Sequence, residues 1–298
     1  LQPPYPPCDG LKPALRSGLF FCDSMACVMR RKKAFMRLNI IKKSPAEIEA
    51  MKEAGRLSAY VLRKVGEAAK PGVSTLELDE LAETLIRAEG GIPAFKGYGG
   101  FPGSICASVN DQIVHGIPSS KVILREGDIL SVDTGATVDG WVGDNAWTYP
   151  IGKVSSDVAM LLETTEKCMW AGLSAARAGN HLGDIGHAVQ SIAEAQGYGV
   201  VRDYVGHGIG RHMHEDPNVP NYGRPHSGIE LEVGMVLAIE PMINMGTRKT
   251  RVGRDGWLVT TRDHKPSAHF EKTVAITEDG PLVITTEPGF TRPVSKTR

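Results

Sequence analysis

One helical pattern occurs twice in this chain, 107 residues apart. In the first copy Ser74 and Glu77 form a capping box, in which each side chain satisfies a backbone N–H of the other. Leu78, Leu81, Leu85 and Ile86 then share an inward face until Gly90-Gly91 stops the helix. In the second copy Gly179 stands for Gly72, Ile185 for Leu78, Ala188-Val189 for Leu81-Ala82, Ile192 for Leu85 and Gly197 for Gly90. A longer amphipathic helix precedes each copy. The first opens at the capping box Ser44-Pro45-Ala46-Glu47 and turns Ile48, Met51, Leu57, Val61, Leu62 and Val65 inward; the other spans Ser156 to Ala176. Strand-like sequence follows both, from Asp128 to Pro150 and from Met235 to Ile243. Such a repeat constrains the chain to an α+β domain of two related halves around a shared sheet.

Bulk properties narrow the class further. At 298 residues the chain buries a full core, and its 34 Lys+Arg balance 34 Asp+Glu. That balance removes the electrostatic case for nucleic acid or an anionic membrane as the main partner. No stretch reaches the roughly 18 consecutive apolar residues of a membrane span. Five cysteines, odd in number and without framework spacing, point to a reducing, cytoplasmic setting.

Residues 1–35 differ from the rest. Pro3, Pro4, Pro6, Pro7 and Pro13 crowd there with Cys8, Cys22 and Cys27, and Arg30-Arg31-Lys32-Lys33 follows. The apolar piece at Leu19-Phe20-Phe21 is broken by Asp23 and has no charged segment directly before it, so a signal peptide is not expected. A zinc module is not expected either, because the first histidine of the chain is His115. The stretch reads as a disordered or non-native extension, with a docking segment as the alternative.

Chemistry-bearing residues begin in one hairpin. Ile129 to Val138 and Trp141 to Tyr149 are strands joined by Asp139-Gly140, a strong two-residue turn signal. A two-residue turn sets Asp144 opposite Gly135 and Asp133 opposite Ala146, so the two aspartates share a face as diagonal neighbours. Leu130, Val132, Ala136 and Val138 take the other face. A solvated outer face explains the pair as readily as a bound cation does. The second cluster, Gly206-His207-Gly208-Ile209-Gly210-Arg211-His212-Met213-His214, puts three of nine histidines among glycines that permit close backbone approach. An exposed polar loop is the alternative. It is not a nucleotide loop, because no lysine or helix opening follows.

Two glutamates stand in apolar surroundings. Met235 to Ile239 runs straight into Glu240-Pro241-Met242, and Ala268 to Ile276 reads as a strand on which Glu271 shares a face with His269 and Thr273. Each requires pairing or a metal to offset burial. Together Asp133, Asp144, Glu240 and Glu271 supply four negative charges, which two divalent cations neutralise, and His207 completes an oxygen-rich ligand set. That set suits manganese, iron(II) or cobalt, with zinc allowed, and a metal pair of this kind activates water for hydrolysis.

In this order and context the residues resemble the type I methionine aminopeptidases, whose pita-bread fold places paired helices over a curved, mostly antiparallel sheet with pseudo-two-fold symmetry. The resemblance spans residues 40 to 285. It rests on the eleven-residue step from Asp133 to Asp144, Gly-His-Gly-Ile-Gly at His207, Ile-Glu-Pro-Met at Glu240 and the strand at Glu271. Asn110-Asp-Gln-Ile-Val-His115-Gly-Ile-Pro118 also resembles the family's segment bearing its first active-site histidine.

The resemblance implies that Asp133 and Asp144 bind a first metal with Asp144 bridging, that His207 and Glu240 hold a second, and that Glu271 bridges both. It implies Glu240 as the proton shuttle, with His115 and His214 on the substrate. Phe95, Tyr98, Phe101, Cys106, Met213 and Trp257 then line a pocket for the methionine side chain. The implied reaction is removal of the initiator methionine from nascent polypeptides, preferably before a small second residue, by a cytoplasmic monomer. Ribosome docking fits that role and is supported by no motif. On this reading 36–290 is one catalytic domain and 291–298 a tail.

Phe101, Met213 and Asp133-Thr-Gly-Ala depart from the family's usual pattern, which bears on pocket shape rather than on the metal chemistry. An X-Pro aminopeptidase or dipeptidase of the same fold is the nearest rival, though such relatives usually carry a substantial additional N-terminal domain. Only 33 residues separate His207 from Glu240, which leaves no room for the large insertion usual in type II methionine enzymes. A non-catalytic binding module on the same fold is the rival from another class.

Overall fold

The structure is a computed structural model that describes residues 38–287. The expected extension over 1–35 and tail over 291–298 lie outside the described residues. Helices α1 (Pro45–Ala68) and α2 (Thr75–Ala88) lead into strands β1 (Ile92–Pro93), β2 (Ile105–Val109), β3 (Gln112–Val114), β4 (Ile129–Val138) and β5 (Trp141–Pro150). Helices α3 (Ser156–Ala175) and α4 (Leu182–Ala195) then lead into β6 (Gly199–Val200), β7 (Gly206–Gly208), β8 (Glu215–Val219), β9 (Val236–Ile239) and β10 (Met242–Asn244). Strands β11 (Thr250–Val252), β12 (Val259–Thr261), β13 (Ser267–His269), β14 (Lys272–Thr277) and β15 (Gly280–Val283) complete the order.

The repeat is a structural repeat. Helices α2 and α4 begin and end 107 residues apart, and so do β1 and β6. Pairing follows the same step: Ile92 faces Thr137 as Gly199 faces Asn244, and the isolated bridge Ser74–Ile123 returns as His181–Glu230. Each half buries its own helix pair. Leu57, Val61, Leu62, Leu78 and Ile86 pack with Leu130 and Val132, while Leu161, Met169, Leu173, Ile185 and Val189 pack with Leu237, Ile239 and Val274. No helix among the described residues is long and apolar enough to cross a membrane.

Local signals act as the sequence predicts at several points. Both capping boxes form, Ser44 with Glu47 and Ser74 with Glu77. The Asp139-Gly140 turn sets Gly135 opposite Asp144 and Asp133 opposite Ala146, as expected. Gly143 lies where α1 crosses β5, and a Cβ there would stand 2.5 Å from the Ala54 carbonyl oxygen.

Three details differ from expectation. In α2, Leu81 and Leu85 are only partly buried, and the buried positions belong to Thr75, Leu78, Asp79, Ala82 and Ile86. Asp79 is buried because its carboxylate accepts the Ser104 and Ile105 N–H groups, at 2.7 and 3.0 Å. The Met235–Ile243 strand breaks at Glu240-Pro241, since proline has no N–H to continue a ladder. Ala268–Ile276 breaks opposite it, at Phe270-Glu271. The register continues through both breaks, Ile239 facing Lys272 and Met242 facing His269, so Glu240 falls opposite Glu271.

Candidate metal centre and substrate pocket

The two strand breaks lie beside the hairpin. The Glu271 N–H donates to the Ala146 carbonyl oxygen at 2.9 Å, and the Thr273 hydroxyl donates to the Asp144 carbonyl oxygen at 2.8 Å. Thr148 holds His269 at both ends, accepting its N–H at 2.9 Å and donating to its carbonyl oxygen at 2.8 Å. These bonds bring the expected ligands from both halves together. Ligand atoms of Asp144, His207 and Glu271, all buried, lie within 4.8 Å of one another. His207 Nε2 is 3.8 Å from Asp144 Oδ2 and 3.6 Å from Glu240 Oε1. Asp133 joins through the hairpin register and keeps part of its side chain exposed although its Oδ1 is enclosed.

Close approach at β7 depends on glycine. A Cβ at Gly206 would stand 2.2 Å from the Ala238 carbonyl oxygen, so only glycine lets β7 lie against β9 here. The loop after β7 is anchored twice. Arg211 donates to the Asp139 carbonyl oxygen at 2.8 Å while its guanidinium covers the Trp141 ring. Glu215 accepts from Lys43 Nζ at 2.5 Å and from the His212 N–H at 3.1 Å.

The electrostatics describe four clustered carboxyl groups, with Lys272 acting on Glu271 as a buried cation. Burial pushes Asp144 up to about 7. Burial raises Asp133 well above the carboxylate range, with the Asp144 charge adding to it. Burial raises Glu240 and Glu271 likewise, reinforced by the neighbouring carboxylates. Asp133 Oδ1, Asp144 Oδ1 and Glu271 Oε1 are enclosed and have no hydrogen-bond partner. His207 Nδ1 lies 2.8 Å from the Gly208 carbonyl oxygen, which can only accept, so Nδ1 carries the proton and Nε2 offers a lone pair. Burial also keeps His207 neutral down to about 4. Orphaned acidic oxygens around one metal-ready imidazole fit divalent cations with oxygen preference.

The two other expected histidines approach the same centre. The His214 ring lies 4.2 Å from the His207 ring, and Tyr98 Oη is 3.0 Å from His214 Nδ1. His115 has φ +61, a conformation uncommon outside glycine, and its ring meets Tyr204 and Trp257 edge-on. Phe95, Phe101, Cys106 and Met213 are buried in one apolar cluster against which Tyr98 and Trp257 pack. Cys106 faces Asp133 across the sheet, and a Cβ at Gly135, opposite Asp144, would touch Met213 and Phe95. The apolar cluster therefore adjoins the acidic centre.

Some relevant groups were not legible as site residues. His269 and Lys272 flank Glu271; both are buried, His269 held at about 3 and Lys272 at about 8 by burial. Lys272 Nζ donates to Asn145 Oδ1 at 3.1 Å. The alternation around Glu271 was the available signal. A second metal-like trio, His181, Asp184 and His226, is explained by helix capping. Asp184 accepts the His181 N–H at 2.7 Å and the His226 N–H at 2.8 Å, in the place that Glu77 holds in the first half.

The chain is similar in sequence and fold to known proteins. Residues 49–278 match the model of metallopeptidase family M24. Methionine aminopeptidase 1 of Bacillus subtilis is 52% identical over 246 residues, covering 83% of this chain and 99% of that protein. Methionine aminopeptidase 1 of Mycobacterium tuberculosis is 48% identical over 250 residues, 82% of this chain and 94% of the relative. The crystal structure of methionine aminopeptidase from Thermotoga maritima superimposes with a TM-score of 0.82 at 42% identity, covering 84% of this chain and all of that one. Half-identical relatives aligned almost end to end, around an acidic centre that calls for cations, leave one conclusion: the chain has the pita-bread fold and belongs to metallopeptidase family M24.

Proposed function

We propose that the protein is a methionine aminopeptidase, removing the N-terminal methionine of polypeptides with a pair of divalent cations. The observation that supports this best is an acidic, orphan-rich centre adjoining an apolar cluster that contains Met213, Cys106, Phe95 and Phe101. Asp133 and Asp144 would hold one cation with Asp144 bridging, His207 and Glu240 the other, and Glu271 both. Bound there, such ions supply a water acidic enough to attack at neutral pH and polarise the scissile carbonyl.

The chain's own groups do the rest. Glu240, within reach of the attacking water, takes a proton from it and passes it to the leaving amine. His214, at the edge of the centre, donates to the developing oxyanion. His115 steadies the amide of the residue that becomes the new N-terminus. Phe95, Phe101, Cys106 and Met213, with Tyr98 and Trp257 at the margin, take the flexible thioether side chain. A small second residue is preferred, and the polypeptide is met as a nascent chain in the cytoplasm by a monomeric enzyme.

Met-Ala-Ser and Ala-Pro-Ala, offered side by side with manganese present, test the reading. Free methionine from the first and no cleavage of the second is the expected result. Cleavage of the proline peptide alone would instead make the protein an X-Pro peptidase.

A further inference from the structure

The two-fold repeat extends to a position that the metal ligands do not use. In the first half Asp144 lies diagonally across from Asp133, opposite Gly135. In the second half Glu240 stands at the step of Asp133, and His269 lies diagonally across from it, opposite Met242. His269 therefore occupies in the second half the place that Asp144 occupies in the first. Its side chain is 2% exposed, and its Nε2 is enclosed without a hydrogen-bond partner. That nitrogen lies 3.7 Å from Glu240 Oε2, while His207 Nε2 lies 3.6 Å from Glu240 Oε1. The Glu240 carboxylate is thus flanked by two imidazoles, one on each oxygen.

The two imidazoles differ in what they can do. His207 Nε2 belongs to the trio whose ligand atoms cluster within 4.8 Å, and His269 belongs to no such group among the described residues. A carboxylate oxygen only accepts, so an Nε2 facing it makes a favourable contact when it carries the proton. The gap is within about an ångström of hydrogen-bond length, and Thr148 fixes the His269 backbone at both its N–H and its carbonyl.

We propose that His269 is a positioning residue for the second cation site, donating from Nε2 to Glu240 Oε2 and so fixing the Glu240 carboxylate toward its cation and the attacking water. The inference rests on the reading of Glu240 as a metal ligand. Outer-shell donors of this kind orient a ligand and raise its affinity for metal, and their loss costs about 10–100-fold in affinity.

Cobalt(II) binding to the full chain, followed by calorimetry and by the visible absorption of the bound ion, tests it in His269→Ala, His269→Gln and Glu240→Ala. In His269→Ala the weaker-bound cobalt is expected to lose about 10–100-fold in affinity with the other ion unchanged. His269→Gln, which keeps an N–H donor and lacks an imidazole, is expected to recover most of that loss with an unaltered cobalt spectrum. Wild-type affinity in both His269 variants overturns the proposal. So does a glutamine variant as weak as the alanine one with a shifted spectrum, because His269 would then be a ligand itself. Glu240→Ala separates the two levels: weakened cobalt there with normal His269 variants removes only the positioning role, and wild-type cobalt there removes the parent reading.

Discussion

Asp133 and Glu240 stand at the same step of two units 107 residues apart, each set diagonally to the group that follows it across the sheet. The centre is thus built from one acidic position supplied twice, joined by Glu271, whose N–H is tied to the first half through the Ala146 carbonyl. Ligand substitutions should divide accordingly. Asp133→Ala and Glu240→Ala are each expected to lose one bound manganese ion, and Asp144→Ala and Glu271→Ala both ions together with activity. Calorimetric stoichiometry with manganese checks this division, and a Glu271→Ala protein that still binds two ions would contradict it.

Proton linkage gives a second expectation. Asp144 is raised to about 7, and Asp133, Glu240 and Glu271 are raised as well, so without metal the folded state holds protons that the unfolded chain has released. Such groups stabilise at low pH and lose that stabilisation as pH rises through their folded values. His115 and His207, both lowered to about 4, and His269 and His214, lowered further, work in the opposite sense, mainly below the ordinary histidine value of about 6.5. Lys272, lowered to about 8, opposes them as the pH nears that value, so the carboxylates dominate between about pH 6.5 and 7.5. The melting temperature of chelator-stripped protein should fall across that interval, and manganese should remove the slope. An upward slope in stripped protein would count against the acidic centre.

A methyl group at Gly135 would stand 2.9 Å from both Met213 Cε and Phe95 Cε1, atoms of flexible or rotatable side chains rather than backbone. Gly135→Ala should therefore narrow the apolar pocket and leave the ligands in place. For Met-Ala-Ser the kcat/KM should fall about tenfold, the low end of the roughly 10–200-fold effect of one methylene in an apolar pocket, mostly through KM. Steady-state kinetics with matched metal content distinguishes this from loss of cation.

Lys43 and Glu215 form an ion pair with both side chains 3% exposed, tying the segment before α1 to the loop that carries His214. Lys43→Met would leave Glu215 buried without its partner. The expected cost is about 3–5 kcal/mol, with Lys43→Met/Glu215→Gln costing less because no charge is stranded. Denaturant unfolding of the three proteins measures it.

Legibility in the sequence followed distance along the chain. The hairpin register was readable because Asp139-Gly140 leaves one pairing, and α1, α2 and the repeat were readable because capping and periodicity are local. Glu240 and Glu271 were readable as out-of-place charges, although their own backbone interrupts the strands expected there. Lys43 with Glu215, 172 residues apart, was not readable, since no local pattern sets that pairing. His269 was visible only as a neighbour of Glu271, and its place beside Glu240 emerges from the register of β10 on β13.

Metal restoration tests the central claim most directly. Full-length protein stripped by chelator receives manganese stepwise, and methionine released from Met-Ala-Ser is measured beside the metal bound per chain. No release from stripped protein is expected, then release that rises with bound metal in the wild type and stays absent in Glu271→Ala. Undiminished release from stripped protein, or from Glu271→Ala at saturating manganese, would contradict a cation-dependent centre at these residues.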